Sequence, residues 1–124
     1  MQADYATKYS DVRTHQYTEI YDHLILPNEK ESIPLILLGD LNISQPGKLN
    51  GMLQKLKMLN GPLMGKLKHS IIGNSKELMD YILVKDNHSK FKDIKRRIID
   101  FSNMLNEEKY NMSDHYPLEA VFNW

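Results

Sequence analysis

A chain of 124 residues holds one domain at most, and its 41% hydrophobic and 26% charged residues are typical of globular proteins. Its 16 basic and 16 acidic residues balance, so no net positive charge favours nucleic acid or an anionic membrane. The absence of cysteine excludes disulfides, thiolate nucleophiles and cysteine-ligated zinc.

The first half of the chain predicts two helices around one strand. Residues 10–26 carry apolar side chains at the three- and four-residue spacing of one helical face, and Pro27 ends the pattern. Residues 33–38 are a short apolar run, which predicts a strand buried on both faces. Leucine and methionine recur at helical spacing between residues 49 and 59, so a second helix is expected there.

The second half of the chain predicts strands separated by loops. Residues 61–77 contain three glycines and little periodicity, which indicates a long loop, whereas 78–84 form a second buried strand. Residues 91–101 are ambiguous with a strand favoured, and 103–112 are a polar connection. In the last strand, 118–124, alternate residues share one face: Leu118, Ala120, Phe122 and Trp124. The sum is a mixed α/β (α+β) protein with three or four strands and two helices.

Asp40 and Asn42 follow the first predicted strand directly. Because side chains two residues apart in extended backbone point the same way, both are expected to face one cleft. A carboxylate and a carboxamide in that position suit a hard divalent cation, together with water and phosphate oxygens. The alternative interpretation is a Gly-Asp-Leu-Asn turn in which both residues act as turn formers.

Asp114 and His115 form a second polar pair, just before the last predicted strand. An imidazole suits proton transfer near neutral pH, and a neighbouring carboxylate can orient the ring, stabilise the imidazolium or bind a metal. The alternative is that Asp114 caps a turn before the strand.

Asp80 lies within the apolar stretch of the second strand. A charged group in such a position is costly unless it is paired, so Asp80 is expected to have a designated partner. His115 is the favoured partner, because a buried carboxylate commonly fixes the tautomer of a catalytic histidine. The alternative is that Asp80 binds backbone donors at the start of the strand.

The remaining polar features have simpler interpretations. His15 and His23 lie on or beside the first helix, and His69 and His88 lie in loops, where lone histidines are rarely ligands. The run Lys-Arg-Arg at 95–97 can meet phosphate, but a short run of charge is usually a solvated strand face.

Three motifs occur in a fixed order: Leu-Gly-Asp-Leu-Asn (38–42), Met-Asp-Tyr-Ile (79–82) and Ser-Asp-His-Tyr-Pro-Leu (113–118). In this order and strand context, the set resembles the C-terminal motifs of the endonuclease/exonuclease/phosphatase superfamily, which has a deoxyribonuclease-like fold. The chain looks most like the bacterial neutral sphingomyelinases, because residues 12–20 and 50–56 are similar to helices of that branch. The resemblance runs from about Gln2 to Trp124 and is weakest in the predicted loop.

The resemblance implies a hydrolase that cleaves phosphodiesters with magnesium or another divalent cation and with water as nucleophile. Asp40 and Asn42 would position the nucleophile, the metal and the phosphate. His115 looks like the general base or a phosphate ligand, Asp114 like a metal-associated carboxylate, and Asp80 like the residue that orients His115. The implied metal site comprises Asp40, Asn42, Asp114 and His115. The substrate of that branch is the phospholipid sphingomyelin, and the products are ceramide and phosphocholine.

The resemblance also implies that half of the fold is missing. The superfamily is a two-sheet, four-layer α/β sandwich of about twice this length. Its N-terminal half supplies an Asn, a metal-binding Glu and a Gly-Thr-His histidine, and these have no counterpart here. Residues 1–124 are therefore expected to be the C-terminal portion of one such domain. Without the partner half, the apolar faces of its sheet and helices would form a large exposed patch prone to association.

Several alternatives remain open from the sequence. The chain resembles a superfamily that also contains nucleases and inositol phosphate phosphatases, although its neutral charge balance counts mildly against a nuclease. It is also compatible with a non-catalytic truncated remnant that folds only with a partner. Secretion and contact with a membrane surface are expectations from the resemblance alone. The sequence itself shows no signal-peptide pattern and no run near ~20 apolar residues.

Overall fold

The computed structural model describes residues 10–100 and 113–124. The α-helices in these ranges are α1 (Ser10–Ile20) and α2 (Pro46–Leu56). The strands, in chain order, are β1 (Leu35–Asp40), β2 (Leu59–Asn60), β3 (Leu63–Met64), β4 (Asp80–Lys85), β5 (Asp93–Ile98) and β6 (Leu118–Asn123). This arrangement is the predicted α+β class.

Both predicted helices are present, with different ends. The first continues from α1 through a wide π-helical turn, Tyr21–Ile25, into a short 3-10 turn that ends at Asn28. The second begins with Pro46, whose fixed φ and missing N–H suit the first turn of a helix. Its C-cap is Lys57, which has a left-handed φ of 53°. Leu59, expected at the end of this helix, lies in β2 instead and is 67% exposed.

The strands form two three-stranded sheets, in the orders β1-β4-β2 and β3-β5-β6. In the first sheet, β1 and β4 pair antiparallel along their whole length, from Leu35 opposite Lys85 to Asp40 opposite Asp80. Both strands begin two residues later than expected. Pro34 explains the shift in β1, because a residue without an N–H does not take part in the interior of a ladder.

The helices cover one face of the first sheet. Tyr81 and Leu83 of β4 point to that side and are buried with side chains from both helical segments. The fully or nearly buried members of this core are Tyr17, Ile25, Leu41, Ile43, Met52, Leu56, Met58, Tyr81 and Leu83. Burial of this apolar area is the main term that stabilises the fold.

The opposite face of the first sheet is exposed along β1 and β2, although Val84 of β4, which shares that face, is fully buried. The expectation that β1 is buried on both faces is therefore wrong. Ile36 is 40% exposed, Leu38 69% and Leu59 67%, and these three residues define what we call the open face. Large apolar side chains grouped on one sheet face usually mark a surface that packs against another molecule or segment. Their exposure agrees with the expected apolar patch.

Two other expectations required correction. The stretch 61–77 contains β3 and a bridge between Ile71 and His115, so part of it is extended backbone. The Lys-Arg-Arg run is not wholly solvated, because Arg96 is only 4% exposed and its Nε donates to the Gly61 carbonyl at 2.7 Å. The polar connection predicted for 103–112 lies outside the described residues. Within the described ranges, no helix is long and apolar enough to cross a membrane.

Candidate active site

Asp80 and His115 meet at one end of the first sheet, where its central strand β4 begins. The Nδ1 atom of His115 lies 2.6 Å from Oδ2 of Asp80, although 35 residues separate them in the chain. Their side chains are 20% and 23% exposed, respectively, so the pair is largely shielded from water but still accessible. The pairing expected from the cost of a buried carboxylate is therefore present, while the catalytic roles of both residues stay predictions.

Short backbone contacts hold His115 in place. Its N–H donates to the Oγ of Ser113 at 3.1 Å, and the bridge to Ile71 fixes its strand register. On either side, the N–H of Ile72 donates to the Asp114 carbonyl at 2.8 Å, and the N–H of Tyr116 donates to the Ser70 carbonyl at 2.7 Å. The segment that carries His115 is thus bound to residues 70–72 by a short antiparallel ladder.

Asp40 lies directly across the sheet from Asp80, as its register partner. Its Oδ1 accepts a hydrogen bond from the N–H of Asn42 at 2.8 Å, which is the turn contact of the alternative interpretation. Asn42 has a left-handed φ of 52°, so the backbone is not extended through this point as was assumed. Gly39, just before Asp40, has φ 144°, a region that side-chain-bearing residues rarely adopt.

The Asp40–Asn42 turn is tied to α1 and to the residue that precedes β4. The guanidinium of Arg13 on α1, which is 2% exposed, donates through Nη1 to the Asn42 carbonyl at 2.9 Å. The N–H of Leu41 donates to the Met79 carbonyl at 2.9 Å. These bonds fix the turn relative to the residue just before Asp80.

Tyr81 adds a further tie next to Asp80. Its Oη lies 2.6 Å from the Ile43 carbonyl and 2.9 Å from the Leu78 carbonyl, between which its single proton is shared. Burial raises the pKa of Tyr81 to about 12, so the phenol stays neutral and remains a donor. Its place in the Met-Asp-Tyr-Ile motif was the only sequence signal for this residue.

Negative charge converges on His115. Partial burial of the ring would lower its pKa, but the hydrogen bond to Asp80 and the charges of Asp80, Asp40 and Asp114 together raise the pKa of His115 above 6.5. The ring is therefore protonated more readily than an ordinary histidine. Asp114 itself is exposed and acts on His115 through its charge.

The other histidines are distributed as expected, with one addition. His15, His23 and His88 are exposed. His69 is partly buried, its Nδ1 lies 2.9 Å from the Ile71 carbonyl, and its ring makes an edge contact with Tyr116 at 5.9 Å. His69 thus belongs to the ladder beside His115, which its position in a predicted loop did not indicate.

No group of three or more His, Cys, Asp or Glu side chains able to hold a metal ion is found in the part of the chain that the structure describes. The carboxylates that the structure brings together are Asp40 and Asp80, with His115 beside Asp80. One oxygen of each carboxylate is already hydrogen bonded within the chain. The described residues therefore fall short of a metal site on their own.

Comparison with known proteins places this geometry in a recognisable fold. A crystal structure of beta toxin from Staphylococcus aureus is 20% identical and superimposes with a TM-score of 0.71, covering 97% of this chain and 48% of the toxin. A mutant of the same toxin with bound magnesium ions is 21% identical, with a TM-score of 0.67 over 92% of this chain and 46% of the toxin. The mannosyl-6-phosphatase of Bacteroides thetaiotaomicron is 14% identical, with a TM-score of 0.64 over 93% of this chain and 47% of the enzyme.

The likeness to these structures confirms the predicted deoxyribonuclease-like fold. The chain spans about half the length of the solved structures that it matches. No family model and no curated protein matches the sequence. The shared fold, with its half-length coverage, is thus what the comparisons establish.

Proposed function

We propose that this chain carries half of the active site of a phosphoesterase, and that the complete enzyme is a metal-dependent phosphodiesterase acting on sphingomyelin. The observation that carries the proposal is the Asp80–His115 pair, held at 2.6 Å beside a second carboxylate, Asp40. Support for the substrate comes from the similarity of residues 12–20 and 50–56 to the neutral sphingomyelinases, the branch to which beta toxin belongs.

The contact between Asp80 and His115 defines which ring nitrogen of the histidine carries the proton. A carboxylate only accepts hydrogen bonds, so Nδ1 of His115 carries the proton in its bond to Asp80. Nε2 is then left to take a proton from an attacking water or, when the ring is protonated, to donate to a phosphate oxygen. Asp80 orients the ring and stabilises its positive charge.

A divalent cation is part of the proposal, in line with the magnesium bound in the toxin mutant. Such an ion, when bound, would polarise a phosphoryl oxygen and stabilise the charge that develops there. Asp40, Asn42, Asp114 and His115 are the residues proposed to approach it. The described residues do not complete a site, and we propose that the further protein ligands come from another segment.

The same segment is proposed to cover the open face. In a strand, residues two apart share a face, so Asp40 lies on the same side of the sheet as Leu38. By the same rule, Asp80 lies on the side of Ile82, opposite the helices. An apolar layer placed on this side would bury the open face and reach the carboxylates at its end. We propose that this layer is the missing half of the domain.

Hydrolysis assays test the proposal. Two proteins are compared: the purified chain, and a longer polypeptide, here called the longer product, that also contains the proposed missing half. Each is incubated with sphingomyelin vesicles, mannose 6-phosphate or plasmid DNA, with magnesium and with EDTA. We expect the longer product to release phosphocholine only with magnesium. His115→Ala is expected to abolish turnover, whereas His88→Ala, at an exposed turn position, serves as the matched histidine control.

The three substrates separate the alternatives. Activity on mannose 6-phosphate but not on sphingomyelin would favour a phosphomonoesterase, which the structural likeness to the Bacteroides phosphatase makes the second candidate. Activity on DNA would favour a nuclease. Inactivity of the longer product on all three substrates, or full activity of His115→Ala, would contradict the proposal.

A further inference from the structure

We propose that Ser70 is a positioning residue that holds Asp80 and His115 in register. Ser70 lies in the stretch with the weakest family resemblance, yet it is completely buried, with 0% exposure. It does not contact the reacting groups through its own side chain. Its role in catalysis rests on the proposed function, because it would act only through the Asp80–His115 pair.

The hydroxyl of Ser70 is bound to the backbone at Asp80. Its Oγ accepts hydrogen bonds from the N–H of Met79 at 3.0 Å and from the N–H of Asp80 at 3.3 Å. A single side-chain oxygen therefore pairs two consecutive backbone donors where β4 begins. Buried backbone donors without a partner are costly, so this oxygen fixes the position of Asp80 relative to residue 70.

The backbone of Ser70 is bound to both sides of the site. Its carbonyl accepts the N–H of Tyr116, next to His115, at 2.7 Å. Its own N–H donates to the Glu77 carbonyl at 3.0 Å, and the N–H of Ile71 donates to the same carbonyl at 3.3 Å. One residue thus uses its N–H, carbonyl and hydroxyl to join the segment of Asp80 to the segment of His115.

The consequence is that the 2.6 Å contact between Asp80 and His115 depends on Ser70. The two bonds to the Ser70 hydroxyl fix Asp80 itself, whereas the backbone bonds of residues 70 and 71 reach only to Glu77. Truncation to alanine keeps the backbone bond to Tyr116 but leaves the N–H groups of Met79 and Asp80 without their acceptor. The expected result is a small local displacement of Asp80, and not the loss of the fold.

NMR spectroscopy of the full chain tests this role without requiring activity. A proton held between Nδ1 of His115 and Asp80 should give a downfield imidazole resonance. In Ser70→Ala we expect this resonance to broaden or disappear, and the exchange rates of the Met79 and Asp80 amides to rise about tenfold. Ser70→Thr restores an acceptor oxygen at the same position and is expected to recover slow exchange at both amides.

Two controls separate positioning from general destabilisation. Ser75→Ala removes another hydroxyl of the same loop, one that donates to Glu77 Oε2 at 2.9 Å, and should leave the resonance and both amides unchanged. Ile25→Val weakens the core by one methylene group without touching the ladder and should raise exchange throughout the chain, not at these two amides selectively.

The outcomes distinguish this proposal from the proposed function. If Ser70→Ala leaves the downfield resonance and both amides as in the wild type, the positioning role is refuted, whatever the enzyme hydrolyses. Absence of the resonance and of slow exchange in the wild type would refute it equally. If the NMR effects appear and the complete enzyme is active, kcat should fall about 10–100-fold with little change in KM. NMR effects without any phosphoesterase activity would refute the proposed function and keep Ser70 as the residue that sets the geometry of the pair.

Discussion

Gly39 offers a direct test of how the site is built, since it precedes Asp40 and has a φ of 144°. A Cβ at this position would meet no heavy atom within 4 Å, so steric contact adds nothing to the cost of Gly39→Ala. The cost is that of the backbone conformation alone, about 1–3 kcal/mol. Gly51, in the middle of α2, also has free space around its Cβ, but its backbone is helical. There, alanine should stabilise the chain by about 1 kcal/mol.

The two glycine variants therefore form a matched pair with opposite expected signs. Urea denaturation followed by circular dichroism measures the free energy of unfolding of each variant. We expect Gly39→Ala and Gly51→Ala to differ by about 2–4 kcal/mol, or by roughly 10 °C in the thermal midpoint. Equal stability of Gly39→Ala and the wild type would refute the reasoning, because the turn that presents Asp40 would then not require a positive φ at residue 39.

Three further predictions follow from the charges and from the open face. Asp40 and Asp80 face each other across the ladder, so at a pH above the raised pKa of His115 Asp40→Asn should raise the free energy of unfolding by up to about 1 kcal/mol. A loss of stability in denaturation at that pH would contradict this. The folded chain raises the pKa of His115, so the stability contributed by the Asp80–His115 pair is complete below about pH 6.5 and is lost as the pH rises through the folded pKa. Denaturation over roughly pH 5 to 9 should show this loss. Asp80→Asn should reduce it. Leu38 is 69% exposed, so Leu38→Lys should change the free energy of unfolding by less than about 0.5 kcal/mol and should reduce self-association in sedimentation experiments. Leu37 lies on the core side of β1, so Leu37→Lys should destabilise the fold strongly.

The pairing of Asp80 with His115 was accessible from the sequence because it follows from a free-energy argument. A carboxylate in an apolar strand must have a partner, and a histidine placed just before the last strand is a suitable one. The two-residue shift of β1 was also implicit in Pro34. In contrast, the open side of β1 was not readable from its composition, because Ile36 and Leu38 are as apolar as the residues that face the helices.

Ser70 illustrates the part of the site that the sequence did not reveal. A serine in a glycine-containing stretch is ordinary loop chemistry, and no periodicity marks it as buried. Its importance arises only when residues 77–80 and 116 arrive beside it in the folded chain. Arg96 is similar, since its buried Nε is paired with the Gly61 carbonyl, which lies between β2 and β3 in the chain.

Covering the open face would change the electrostatics of the neighbouring carboxylates, Asp40 and Asp80. An apolar layer that covers Leu38 also lowers the dielectric constant around Asp40, because both residues lie on one side of the sheet. Two facing carboxylates in such surroundings repel each other more strongly and lose hydration, which costs several kcal/mol unless positive charge compensates. His115 supplies part of that charge through its raised pKa. A layer that binds the open face must therefore bring further positive charge to Asp40 and Asp80, either as a basic side chain or as a shared cation. A purely apolar partner would bind only by leaving this end of the sheet uncovered.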